Sequence, residues 1–67
     1  MDFKTEILKI LEPIFGKNVN NILKEYYDNP QEMYDVALQM LSGYMGEENA
    51  LKKLKPLLEH NPKIKAR

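Results

Sequence analysis

"NPQEMYDVALQMLSGYMG", residues 29 to 46, decides how the rest of the chain is read. Asn29 stands where a helix wants its N-cap, Pro30 occupies the first helical position, and Glu32 falls where a capping box places its acid. Beyond them Met33, Val36, Ala37, Met40, Leu41 and Tyr44 recur at three- and four-residue spacing, which predicts a helix from 30 to about 45 unless Gly43 ends it early. Gly46 then supplies a turn. At about 100° per residue the apolar arc from Val36 round to Met45 covers roughly half the circumference, more than an ordinary surface helix shows. This helix is therefore expected at the centre, touching more than one neighbour.

The same spacing extends outward on both sides. Phe3, Ile7, Ile10, Leu11 and Ile14 predict a first helix over about 3–15, with Asp2 as its cap and Gly16 at its end. Val19, Ile22, Leu23 and Tyr26 predict a second over 18–28, with Tyr26 facing inward. Ala50, Leu51, Leu54, Leu57 and Leu58 predict a fourth over 47–60, stopped by Asn61-Pro62. The expectation is an all-α fold, a compact four-helix domain over residues 1–61, followed by a short, basic, frayed tail at 62–67. Pro13 and Pro56 fall inside the first and last helices, off their apolar stripes. There water can satisfy each carbonyl that loses its partner, so both helices are expected to be kinked around the core.

Composition narrows the chemistry. The 67 residues include no cysteine and a single histidine, His60, so disulfides, thiolate sites and an imidazole cluster within one chain are excluded. No metal or cofactor is expected. No apolar run reaches the roughly 18 residues of a membrane span, and "MDFKTEILKI" lacks the pattern of a secretory signal, so the reading is cytoplasmic with no membrane partner. A chain of about this size buries only about 60% of the surface its unfolded form exposes, which leaves packing or self-association to supplement the core. The formal charge is zero, yet residues 1–50 carry nine acids and four bases while residues 51–67 carry one acid and six bases.

Catalysis finds little support. Thr5 and Ser42 are the only aliphatic hydroxyls, and neither has a histidine near it in sequence. Gly43 and Gly46 in "SGYMGEEN" lack the lysine and the strand of a phosphate loop. His60, near the end of its helix, reads as a solvated residue that complements the helix dipole when charged. Glu25, Asp28, Glu32 and Asp35 gather around one turn, but not with the alternating ligands of a calcium loop. The chain is not read as an enzyme.

Binding remains. Tyr27, Tyr34 and Met45 lie at the margin of apolar arcs, a composition that protein interfaces favour. Leu8, with Lys4, offers a second margin on the first helix. The acids Asp28, Glu32 and Asp35 would meet a basic partner, including the lysine-rich fourth helix of another copy, or be neutralised by that helix within one fold. The expected function is a small non-catalytic protein–protein interaction module, self-associating or acting as an adaptor subunit. The alternative is weak nucleic-acid binding through Lys52, Lys53, Lys55, Lys63, Lys65 and Arg67. Against it, there is no Lys or Arg between Lys24 and Lys52, and the fourth helix opens with Glu47 and Glu48.

Overall fold

Helix α3 begins as its sequence dictates. Asn29 Oδ1 accepts the Glu32 backbone N–H at 3.2 Å, Pro30 holds the first helical position, and the helix runs Pro30–Met45. Only half of the expected capping box forms, because the Asn29 N–H is taken by the Tyr26 carbonyl at 2.9 Å. The computed structural model describes residues 3–65. Around α3 it places α1 (Phe3–Phe15), α2 (Val19–Leu23) and α4 (Glu47–His60), with no strand among the described residues. Asp2, the expected cap of α1, lies outside them.

The second helix is shorter than its periodicity predicts. It ends at Leu23 and tightens into a single 3₁₀ turn, Lys24–Tyr26, before Asn29 opens α3. Ile22, expected inside, is 46% exposed. A helix of five residues has one buried side, and Val19 and Leu23, four apart, fill it. Tyr26 is half-buried.

Gly43 does not end α3. Gly46 does, with φ +88° and ψ 153°, a region that side chains avoid. Its N–H donates to the Ser42 carbonyl at 2.9 Å while its own carbonyl accepts the Ala50 N–H at 3.0 Å, so one residue closes α3 and opens α4. With so short a link α4 folds back along α3. Its far end returns to the beginning of α1, where His60 meets Glu6. The other ends of α1 and α3 lie together, with the Phe15 and Tyr44 rings 5.9 Å apart. Thus α1 and α3 run in the same general direction, and α4 runs back between their ends.

The core joins Ile7 and Leu11 of α1, Val19 and Leu23 of α2, Met33, Tyr34, Ala37, Leu38 and Leu41 of α3, and Ala50, Leu54 and Leu57 of α4. No polar or charged residue other than tyrosine is buried among them. Pro13 and Pro56 both lie on exposed faces, inside helices that continue past them. The inward face of α3 is turned from the expected one. Tyr34 and Leu38 are buried, whereas Tyr44 is 66% exposed. Tyr34, expected at a contact margin, is a core residue.

Candidate interaction surface

Three chain segments meet where α1 and α3 begin and α4 ends. Phe3 and Pro30 form the floor between them, and two open clefts share these residues. One, of about 320 Å³, runs past Lys4, Tyr27 and Met33. The other, of about 290 Å³, is closed on its far side by His60, Asn61, Pro62, Lys63 and Ile64. Lys4 reaches over Tyr27 with its ammonium 4.5 Å from the ring centre, a cation–π contact that braces the 3₁₀ turn against α1. The two margins expected separately, Tyr27 on one side and Lys4 with Leu8 on the other, thus adjoin. Leu8, one turn beyond Lys4, is half-buried.

Glu6 holds the return of α4. An ionised carboxylate only accepts, so His60 Nδ1 carries the proton and donates to Glu6 Oε1 at 3.1 Å. Asn61 Nδ2 donates to Glu6 Oε2 at 3.4 Å and to the Leu57 carbonyl at 2.9 Å, which caps the end of α4. Periodicity places His60 on the polar side of its helix, and it is exposed there, but no local signal pairs it with Glu6. The pairing depends on how the fold closes.

The segment after α4, read as a frayed tail, turns back instead. The Ile64 N–H donates to the Asn61 carbonyl at 2.9 Å, Ile64 packs partly buried against the core, and Lys65 binds Gln31 of α3 through its main chain. Asn-Pro is a turn-forming pair, and Ile64 supplies an apolar group that a short loop can bury. Arg67 lies outside the described residues.

The other expected contact residues are dispersed. Asp28 and Glu32 are exposed, while Asp35 is half-buried and accepts a hydrogen bond from Gln31 Nε2 at 3.2 Å. Met45 is half-buried beside the exposed Tyr44. Lys52, Lys53 and Lys55 are exposed around α4, and Lys52 lies 3.9 Å from Glu48. With successive residues about 100° apart, these three lysines do not make one basic face. Among the described residues no group of three or more His, Asp or Glu side chains is placed to hold a metal ion. No helix among them is long and apolar enough to cross a membrane.

Sequence reading missed Phe3 as a cleft residue and Gln31 as a binding group. Phe3 counts as core by its spacing, and Gln31 carries no signal in sequence beyond its place in the first turn of α3. Fold and surface together define the class as a small all-α, four-helix domain with an open, partly apolar cleft at one end and an exposed tyrosine, Tyr44, against half-buried Phe15 at the other. Comparison with protein-family models, curated proteins and solved structures gave no match.

Proposed function

We propose that this chain is a non-catalytic helical module that binds protein, associating with copies of itself or serving as an adaptor subunit. The observation that carries the reading is Tyr44. The residue is 66% exposed, and its ring stands edge-on, at 66°, to half-buried Phe15 at the end of α1. An exposed aromatic side chain held by a second ring is the kind of anchor that protein interfaces use most. The exposed acids Asp28 and Glu32 and the exposed lysines of α4 would help orient the encounter without adding much affinity.

Sedimentation equilibrium over a range of protein concentrations, at low and high salt, tests the self-association arm. A dimer or larger species at micromolar concentration is expected, and Tyr44→Ser should weaken it at least tenfold, about 1.4 kcal/mol. High salt should loosen the charged part of the contact while leaving the aromatic part. A monomer at every concentration and salt would refute self-association, and a dimer indifferent to Tyr44→Ser would remove Tyr44 as its anchor.

A further inference from the structure

Gln31 holds the main chain of Lys65 at both of its polar groups. Its carboxamide donates through Nε2 to the Lys65 carbonyl at 3.0 Å and accepts the Lys65 N–H through Oε1 at 2.8 Å. Both main-chain groups of one residue are paired by a single side chain, which recognises backbone whatever side chain it carries. Asp35 Oδ1 accepts from the same Nε2 at 3.2 Å and fixes which way the amide faces.

What precedes Lys65 adds selectivity. The turn at Asn61 sends Ile64 partly into the core, with Lys63 before it and Lys65 after it. This basic–apolar–basic segment is tied to the turn of α3 that carries Glu32 and Asp35, within the acid-rich residues 1–50, so the charges are complementary. The segment also underfills its place. A cavity of about 290 Å³, walled on one side by the segment's own Asn61, Pro62, Lys63 and Ile64, stays open over Phe3 and Pro30, and past those two residues a cleft of about 320 Å³ continues to Tyr27 and Met33. One side chain's two hydrogen bonds and one half-buried isoleucine are a slight hold. Tethering keeps the segment in place, because a short linker gives a local concentration in the ~millimolar range.

We propose that this place is a docking site for a lysine-rich segment of a partner protein, with an isoleucine-sized residue between two basic ones. Residues 61–65 occupy it in the free chain as a displaceable strap. The proposal rests on the reading of the chain as an interaction module, but it uses the end of the bundle away from Tyr44, so the two tests fail independently.

The experiment is an NMR titration of the isotope-labelled full-length chain, following the Gln31 side-chain amide together with the backbone amides of Glu32, Met33 and Asp35, which also report on a Gln31 variant. The probe is a synthetic peptide with the sequence of residues 61 to 67, NPKIKAR, blocked at both ends. Two full-length variants loosen the strap without touching its receptor: Ile64→Ser removes the apolar contact, and Lys65→Pro removes the N–H that Gln31 accepts. Each should bind the peptide at least tenfold more tightly than the wild type. Gln31→Ala should abolish binding, and so should a probe with both lysines replaced by glutamate. Equal affinity for wild type and both strap variants would overturn the competition, and absence of binding by the folded strap variants would overturn the site. If dilution of the wild type alone shifted the Gln31 amide, the occupant would be the strap of a second copy, and the partner assignment would fall.

Discussion

The Glu6 carboxylate and the His60 ring, 54 residues apart in sequence, meet at 3.1 Å and fasten the end of α4 to the first turn of α1. The glutamate side chain is 17% exposed and the histidine 67%. One partner is well solvated, so the contact is expected to guide closure more than to supply stability. Glu6→Gln and His60→Ala should each lower unfolding free energy in urea by less than ~1 kcal/mol, with a coupling of roughly 0.2–1 kcal/mol in the double-mutant cycle. Zero coupling would mean that the two residues merely lie side by side.

Gly43 and Gly46 stand three residues apart and should respond to alanine with opposite signs. Gly43 is an exposed residue inside α3, and a Cβ added there meets nothing within 4 Å. Alanine there should stabilise by about 0.5–1 kcal/mol, the usual difference in helix propensity. At Gly46 there is also room, but φ is +88°, so the penalty is backbone strain of about 1–3 kcal/mol. Thermal unfolding followed by circular dichroism should rank the proteins Gly43→Ala, wild type, Gly46→Ala. If Gly46→Ala matched the wild type, the link between α3 and α4 would be able to adopt another conformation.

Leu54 and Tyr44 separate core from surface. Leu54 is fully buried, and Leu→Ala at such a site costs about 2–5 kcal/mol. A single core of this size rarely supplies more than about 3–5 kcal/mol, so Leu54→Ala should be largely unfolded at physiological temperature. Tyr44→Ser, which gives up one edge-on ring contact, should cost under ~1.5 kcal/mol and keep the helical spectrum. A stable Leu54→Ala protein would show that the helices can close over the gap.

Those two residues also show how far the sequence carried. The bounds of α1, α3 and α4 were legible because their signals are local: Asn29 and Pro30 begin α3, Gly46 ends it, and Asn61-Pro62 ends α4. Facing is not local. Asp35, Gln39 and Ser42 mark the polar side of α3, and the residues opposite them include Met33, Ala37 and Tyr44. The buried set, Met33, Tyr34, Ala37, Leu38 and Leu41, is turned by about 45° from that direction at ~100° per residue. With apolar residues on so many sides of α3, periodicity cannot choose between Tyr34 and Tyr44, and the helices packed against α3 choose instead. The same holds for the cleft and for the Gln31 hydrogen bonds beside it. Phe3, Gln31, His60 and Ile64 share no local pattern and come together only when α4 returns along the bundle.

Tyr34 bears the chemical consequence of that choice, since its hydroxyl is buried with no hydrogen-bond partner. An orphaned buried polar group costs about 1–3 kcal/mol, so Tyr34→Phe should leave the protein at least as stable at neutral pH and up to that much more so. Burial first, and the neighbouring Asp35 charge second, raise the Tyr34 pKa above the ordinary 10.0. Below pH 10 the phenol is neutral in both folded and unfolded chains and adds no pH dependence. Above it the unfolded chain loses the proton while the folded chain keeps it, so ionisation favours unfolding and stability falls as pH rises. Urea unfolding of wild type and Tyr34→Phe from pH 7 to pH 11 should therefore show a steeper alkaline decline in the wild type, with the lysines and remaining tyrosines contributing alike to both. Parallel curves would mean that the Tyr34 hydroxyl titrates as freely in the folded chain as in the unfolded one. A Tyr34→Phe protein weaker than wild type at pH 7 would mean instead that the hydroxyl makes a favourable hydrogen bond, for example to a buried water.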